Sequence, residues 1–321
     1  MSLRDPVAVL ELDIRADLAR VEDLLRATAH SERPLVDEAA GFLIAAGGKR
    51  LRPMLVLLAG HLGNPSDPRL IPCATAIELT HLASLYHDDV IDETALRRGV
   101  ETANTRYGNP VAVLTGDFLF ARASGLAADL GSYVSRRLAD TIAELCEGQI
   151  AETELAGSFE ASSEDYLEVI GRKTASLIET SCHLGAWLGG AEPPAVEAAT
   201  TYGRALGMAF QLSDDVLDIT GEAVESGKEP GTDLREGILT LPALETLSGR
   251  VPGDQDLRMA LERRDFEAAL DVLRSNGSVD VARDAAAAWE ARAHEALQRI
   301  SAGRARDAMA QLAGFVTQRT A

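Results

Sequence analysis

Helical periodicity is the feature of this sequence that most restricts its fold. Apolar residues recur every three to four positions along most of the chain, which predicts amphipathic α-helices and leaves little sequence for strands. Stretches such as GNPSDP, YGNP and GGAEPP interrupt the pattern and predict turns. The predicted helices cover residues 6–29, 35–46, 53–62, 70–96, 111–129, 133–155, 164–188, 194–220 and 279–315, with shorter ones near 240–247, 255–263 and 266–275.

Several of these helices are apolar on more than one face, which predicts that they lie inside a helix bundle. Aromatic residues make up only 4% of the chain, and the small side chains that replace them allow helices to pack closely. The sequence shows no tandem repeat, low-complexity linker or change of composition that would mark a second domain. We therefore predict an all-α fold in which residues 1–321 form a single domain.

Acidic residues outnumber basic ones by 50 to 31, which gives a formal net charge of −19. This balance excludes nucleic acid as a partner, and a phosphate-bearing ligand would need cations from outside the chain. No transmembrane segment is predicted, because the sequence has no run of about 18 uncharged apolar residues. Cys73, Cys146 and Cys182 lack metal-ligand spacing and are typical of a reducing compartment, so we expect a cytoplasmic protein.

Three aspartates lie in the stretch LYHDDVIDETALRRG. On a helix, Asp88 and Asp92 share one face at positions i and i+4, whereas Asp89 lies about 100° around the axis. Their neighbours are mostly apolar, so carboxylates on a buried face here would need a cation. For one such motif alone, a solvated acidic patch is the alternative.

The stretch QLSDDVLDITG repeats the same offsets at Asp214, Asp215 and Asp218. The separation of 214 − 88 = 126 positions is too long for a local duplication, so the two clusters would face one another across a cavity. Facing carboxylates suit Mg²⁺, which takes its other ligands from water and substrate phosphates. The two motifs together therefore predict a metal site.

Basic side chains near these motifs predict phosphate binding. The stretch GGKRLRP combines flexible glycines with cations, although it lacks the GxxxxGK[ST] pattern of a Walker A loop. Arg97 and Arg98 can each contact phosphate oxygens through two N–H groups. His81 stands two turns before Asp88 and is either a satisfied core residue or a ligand contact.

At these residues the chain resembles the trans-type (E-) polyprenyl diphosphate synthases. GGKRLRP, HLASLYHDDVIDETALRRG, LTGDFLFARA, GRKTASL, FQLSDDVLD and GKEPGTDLREG follow in the family's order over most of the chain. The resemblance implies an antiparallel helix bundle of the isoprenoid synthase type around a central cavity. It also implies a homodimeric prenyltransferase of isoprenoid biosynthesis that joins isopentenyl diphosphate to an allylic diphosphate, 1′ to 4, and forms a linear all-trans product. Release of that product would involve transient contact with a membrane.

The resemblance also implies roles for individual residues. Three Mg²⁺ ions per active site, or Mn²⁺ in their place, would be held by Asp88, Asp92 and Asp214, with Asp89 and Asp218 as further ligands or as their supports. Arg97 would contact the allylic diphosphate. The isopentenyl diphosphate pocket would contain Lys49, Arg52, His81 and Arg98. Groups near the breaking allylic C–O bond would be Lys173, Thr174 and Gln211, with Lys228 on the leaving group.

Two positions depart from the family pattern. Ile238 in DLREGILTLP stands where a second lysine is usual, and Glu101 stands where proline is common. Either Lys228 and the metals suffice to bind the diphosphate, or its affinity is lowered.

Product length is expected to depend on the residues four and five positions before Asp88, which are Ser84 and Ala83. In the resembled family, bulky aromatic residues there stop elongation. Small side chains leave a tunnel open because close packing makes side-chain volume decisive, so we predict a long product of about thirty carbons or more. A floor formed by the segment of Phe118 and Phe120 is the alternative.

Other functions compete with this interpretation. A farnesyl or geranylgeranyl diphosphate synthase would use the same chemistry. A terpene cyclase is disfavoured, because the second motif reads DDVLD and not NDxxSxxxE. A non-catalytic subunit of a heteromeric synthase would have lost aspartate motifs that are intact here. A purely structural bundle would have no reason to combine two inward acidic clusters with the basic motifs.

Overall fold

The computed structural model describes residue 7 and residues 10–97, 100–221 and 230–317. The predicted all-α class is confirmed, because helices make up nearly all of the regular structure in these ranges. The helices are α1 Arg15–Ala29, α2 Pro34–Ala45, α3 Leu51–Gly60, α4 Leu70–Ile91, α5 Ala103–Tyr107, α6 Asn109–Asp129, α7 Ser132–Leu155, α8 Ser163–Ile170, α9 Ser176–Leu188, α10 Pro193–Thr220, α11 Thr232–Arg235, α12 Leu241–Leu247, α13 Asp254–Glu262, α14 Phe266–Ser275, α15 Ser278–Gln298 and α16 Arg304–Thr317.

Local sequence explains where several helices begin. Proline occupies the first turn of α2, α6, α10 and α12, where its missing N–H would have had no partner in the helix. α8 begins with a capping box, in which the Ser162 hydroxyl accepts the Asp165 N–H and the Asp165 carboxylate accepts the Ser162 N–H.

The predicted boundaries were wrong at four places. The helix predicted over 70–96 ends at Ile91, and two short antiparallel strands follow, β1 Leu96–Arg97 and β2 Val100–Glu101. The prediction over 279–315 is split at residues 299–303, and the one over 6–29 begins at Arg15. The helix predicted over 164–188 contains a π-helical segment, Gly171–Ala175. At the first of these places, Glu93 adopts φ 49°, which no right-handed helix accommodates.

Helix α10 lies at the centre of the packing and contacts α9 on one side and α15 on another. Glycines permit its closest approach to α9. A Cβ on Gly203 would lie 2.8 Å from the Glu179 Cα, so only glycine allows the two backbones to meet at this distance. α4 packs against α6, and its C-terminal end carries the first aspartate motif. The C-terminal ends of α4 and α10 therefore carry the two acidic motifs on rigid elements.

Candidate active site

The two aspartate triads occupy equivalent positions on their helices. Asp88 and Asp89 lie in the last turn of α4, where Asp92 is the C-terminal cap, and the second triad lies in the last two turns of α10. A helix C-terminus carries partial negative charge, so carboxylates there are repelled by the backbone as well as by each other. This arrangement is unfavourable without a nearby positive charge, which indicates a site for cations.

Burial divides both triads in the same way. The middle residues, Asp89 and Asp215, are 0% and 1% exposed, whereas the outer residues of each triad are partly exposed. This pattern agrees with the helical geometry predicted from the sequence, because the outer pair shares a face and the middle residue points elsewhere. The outer carboxylates can therefore meet a ligand, and the middle ones lie within the protein.

The buried Asp215 links α10 to α8 by hydrogen bonds. Its carboxylate accepts hydrogen bonds from the Tyr166 hydroxyl on α8 and from Gln211 Nε2, the latter at 2.9 Å. Gln211 Oε1 in turn accepts the Thr174 hydroxyl at 2.9 Å. The chain of bonds from Thr174 to Tyr166 connects the π-helical segment, α10 and α8 beside Asp214.

The π-helical segment, of sequence GRKTA, carries Lys173 and Thr174. Burial alone would lower the pKa of Lys173, but Coulomb attraction to Glu152, Asp88 and Asp92, together with the hydrogen bond to Glu152, raises it. Lys173 is therefore positively charged and lies within electrostatic range of the first triad. Because Thr174 bonds to the helix of the second triad, the segment joins both halves of the site.

Two glycines allow the backbones of α7 and α10 to approach the π-helical segment closely. A Cβ on Gly148 of α7 would lie 2.7 Å from the Lys173 nitrogen, and a Cβ on Gly207 of α10 would lie 2.5 Å from the Ala175 Cα. Single-turn π-helices are rare and occur frequently at functional sites. Glycine packing on both sides holds the widened turn in place.

Asp218 contacts the segment that follows residues 222–229. Its two carboxylate oxygens accept the backbone N–H groups of Thr232 at 3.1 Å and Asp233 at 3.3 Å, at the start of α11. Its own carbonyl accepts the Gly231 N–H at 2.8 Å. Asp218 therefore fixes α11 against the second triad. Lys228, predicted to contact the leaving group, lies outside the described residues.

Arg50 anchors the GGKRLRP stretch. It adopts the left-handed conformation with φ 50° at the start of α3 and forms ion pairs with Glu22 of α1 at 2.9 Å and Glu78 of α4 at 3.0 Å. Lys49 is exposed and Arg52 is partly exposed on either side of it. The anchor holds these two residues next to α4.

His81 is partly exposed on α4, three positions after Glu78 and therefore on a neighbouring face. The structure thus brings the predicted cations of GGKRLRP to the helix that carries His81 and Asp88. Arg97 lies in β1, whereas its side chain and the whole of Arg98 lie outside the described part of the chain.

The two positions predicted to control product length differ in burial. Ala83 is 0% exposed in the core that α4 forms with α6, whereas Ser84 is partly exposed. Ser84 lies four positions before Asp88, so both share one face of α4. Phe118 and Phe120 are partly buried against the same core. Of the two positions, Ser84 is therefore the one at which a larger side chain would lie on the same face of α4 as Asp88.

The partly exposed carboxylates of the two triads suit Mg²⁺ that is bound together with a diphosphate. Among the described residues, no group of three or more His, Cys, Asp or Glu side chains is arranged to hold a metal ion by itself. Mg²⁺ is ordinarily bound by one or two carboxylates and completes its octahedron with water and phosphate oxygens. Partly exposed aspartates, presented in pairs, fit an ion that arrives with a diphosphate.

Sequence reasoning missed three residues that shape the site: Glu152, Tyr166 and Arg50. Glu152 accepts a hydrogen bond from Lys173, the Tyr166 hydroxyl donates one to Asp215, and Arg50 joins α1 to α4 through two ion pairs. Each acts through a partner more than 20 positions away. Of the three, only Arg50 lies within a motif that the sequence analysis singled out. The motif predicts phosphate binding, whereas the structure shows Arg50 in ion pairs with Glu22 and Glu78.

Comparisons with known proteins agree on one family. The family model described as Polyprenyl synthetase matches residues 33–275. Nonaprenyl diphosphate synthase of Mycobacterium tuberculosis is 40% identical over 318 residues, which is 97% of this chain and 95% of that protein. Heptaprenyl diphosphate synthase component 2 of Geobacillus stearothermophilus is 46% identical over 233 residues, 72% of this chain and 73% of that protein.

A solved structure has nearly the same fold. The crystal structure of a polyprenyl synthase from Caulobacter crescentus, complexed with calcium and isoprenyl diphosphate, has a TM-score of 0.91 to this chain. The two are 35% identical in sequence, and the match covers 100% of this chain and 98% of that one.

Proposed function

The chain belongs to the polyprenyl synthetase family and is a long-chain polyprenyl diphosphate synthase, a prenyltransferase, and from this premise we propose how its residues divide the reaction. The substrates are isopentenyl diphosphate and an allylic diphosphate. Asp88, Asp92 and Asp214, with Asp218, would hold Mg²⁺ for binding of the allylic diphosphate. The observation that carries the proposal is the position of Lys173 and Thr174 on one π-helical segment. Lys173 interacts electrostatically with the first triad, and Thr174 bonds to Gln211 on the helix of the second triad.

Bound divalent cations would supply Lewis-acid stabilisation of the diphosphate leaving group. The chain's own residues act around that group. The raised pKa of Lys173 keeps its ammonium charged, and we propose that it lies where the oxygens of the diphosphate leaving group gain negative charge. A cation that is already in place lowers the activation free energy of C–O cleavage because it need not reorganise during the reaction. Thr174 and Gln211 orient the allylic end through their shared hydrogen bond. Lys49, Arg52 and His81, with Arg97 and Arg98, bind the diphosphates, and the released diphosphate accepts the proton lost after condensation.

Support for a divalent ion comes from the donor chemistry and from the Caulobacter crescentus enzyme, whose structure contains calcium with isoprenyl diphosphate. We propose three Mg²⁺ ions per site, with Mn²⁺ as a substitute. Ile238 lies in the wall of an apolar cavity and adds no charge. Lys173 and Lys228, together with bound Mg²⁺, would therefore have to bind the diphosphate without a further lysine.

We also propose a homodimer in the cytoplasm. Among the described residues, one helix, α6, is long and apolar enough to cross a membrane by length and composition, which is weak evidence for a span. Only 33% of its most apolar window is buried, and Leu114 is 65% exposed. Exposed apolar side chains on this helix favour a protein partner, and we propose that a second copy covers them. The free thiols of Cys73, Cys146 and Cys182 support a reducing compartment.

Sedimentation of the purified chain tests the assembly. A dimer that is active alone supports the proposal. A monomer that gains activity only with a second polypeptide would replace it by a heteromeric enzyme, as the word "component" implies for the Geobacillus stearothermophilus relative.

Site-directed variants test the metal assignment. Asp88→Asn and Asp214→Asn keep side-chain size but remove the charge, and each is expected to lower turnover by at least about 10²-fold at saturating Mg²⁺. Asp271→Asn on α14 is the control, because its exposed carboxylate lies outside the site. Formation of labelled polyprenyl diphosphate is the readout. Wild-type turnover in both triad variants would refute the assignment.

A further inference from the structure

Lys173 forms its ion pair away from the aspartates that attract it. Asp88 and Asp92 both raise the pKa of Lys173 through space, yet its Nζ donates to Glu152 Oε2 on α7. Among the described residues, Glu152 is the acidic group within ion-pair distance of Lys173. The ammonium of Lys173 therefore lies at Glu152, to one side of the first triad.

Glu152 is itself held in position from two directions. Gln149 Nε2 donates to the same Oε2 atom at 3.2 Å, one turn earlier on α7. At Gly148, α7 approaches the π-helical segment so closely that a Cβ would lie 2.7 Å from the Lys173 nitrogen. The carboxylate is thus fixed relative to the backbone that carries Lys173, and the pair is preorganised.

Glu152 also borders a cavity of about 30 Å³, room for roughly one water molecule, whose walls are mainly aliphatic. Ile238, Leu239 and Leu244 contribute to those walls. Ile238 is the position where the sequence lacks the usual lysine, so the cavity presents no competing ammonium. Partial burial strengthens the pair, since the Glu152 side chain is 16% exposed and that of Lys173 is 25% exposed.

We infer that Glu152 is a positioning residue that holds the Lys173 ammonium beside Asp88 and Asp92, so that the lysine does not compete with divalent cations for these two carboxylates. The inference rests on the proposed roles of Lys173 and the two aspartates. Without Glu152, the long, flexible lysine side chain pairs with the first triad. It then competes with the metal for the same oxygens, while turnover at very high metal concentration is largely retained.

Metal binding without substrate turnover tests this inference. Binding of Mn²⁺ with inorganic diphosphate, followed by electron paramagnetic resonance, is measured for wild type, Glu152→Gln, Lys173→Gln and the double variant. Glu152→Gln is expected to bind Mn²⁺ about three- to tenfold more weakly, as for one competing ion pair at a part-buried site. Lys173→Gln and the double variant are expected to bind alike, because the competing ammonium is gone.

Controls separate this role from general structural damage. Glu154→Gln, two positions along α7 and exposed, is expected to leave Mn²⁺ binding unchanged. In activity assays, Glu152→Gln should raise the Mg²⁺ concentration for half-activation more than it lowers kcat. If Glu152→Gln does not fold, Lys173→Gln alone decides: binding within about twofold of wild type supports the inference, since Lys173 then does not occupy the aspartates.

Two results would overturn the inference: unchanged Mn²⁺ binding in Glu152→Gln, or weaker binding in the double variant than in Lys173→Gln. Asp88→Asn serves as the reference for the metal site. If it binds Mn²⁺ like wild type, the proposed function itself fails. If it binds weakly while Glu152→Gln is unaffected, only the positioning role is lost.

Discussion

Replacing Gly207 by alanine should displace the π-helical segment. Gly207 lies on α10 where the backbone of Ala175 passes, and an added Cβ would lie 2.5 Å from the Ala175 Cα and 2.8 Å from its Cβ. Neither helix can give way by a rotamer change, because the atom nearest the new methyl group is backbone. The segment must therefore move away from α10 and carry Thr174 with it.

The size of the effect follows from two opposing terms. Overpacking in a tight core is destabilising by about 1–3 kcal/mol, and contact with backbone places this case toward the upper end. Alanine also favours a helix over glycine by about 1 kcal/mol. The expected net loss is about 1–2 kcal/mol. Gly41→Ala on α2 is the matched control, since a Cβ there meets nothing within 4 Å and should gain about 0.5–1 kcal/mol.

Urea unfolding of both variants at one protein concentration measures these values. The difference between Gly207→Ala and Gly41→Ala isolates the overpacking, because the helix-propensity gain is common to both. Turnover should also fall in Gly207→Ala, because the Thr174–Gln211 hydrogen bond of 2.9 Å stretches and misplacement by 1 Å can lower the rate about 10²-fold. Equal stability of the two variants, with wild-type turnover in both, would refute the packing argument.

Two further predictions concern other parts of the molecule. Ser84→Phe should shorten the product, because the ring would extend beneath Asp88, and Ser84→Ala should not; chromatography of dephosphorylated products measures this, and unchanged lengths would contradict it. Burial, and to a smaller extent the charge of Arg137, lower the pKa of His183 from 6.5 to about 4. Between pH 4 and pH 6.5 the unfolded state therefore binds more protons than the folded state, so the free energy of unfolding should fall as the pH drops through this range. His183→Gln should flatten this part of the pH profile of the unfolding free energy, and an unchanged slope would contradict the assignment.

The all-α class and both aspartate motifs were predictable from sequence because their signals are local. Apolar spacing identifies a helix over a dozen residues, and the i, i+1, i+4 offsets place the outer aspartates of each motif on one face. Burial of Asp89 and Asp215 follows the same rule. Resemblance to a known family added predicted roles for the basic residues, which their spacing alone leaves open.

The tertiary structure alone decided how these pieces are joined. GRKTA is predicted from its sequence to be ordinary helix, whereas the structure shows a π-helical turn packed against Gly148 and Gly207, 23 to 36 positions away in sequence from Gly171. The pairing of Lys173 with Glu152 and the role of Arg50 as an anchor also depend on distant partners. Local patterns record which face a residue occupies. Which backbone or charge meets that face is set by helix packing, and no short stretch of sequence encodes it.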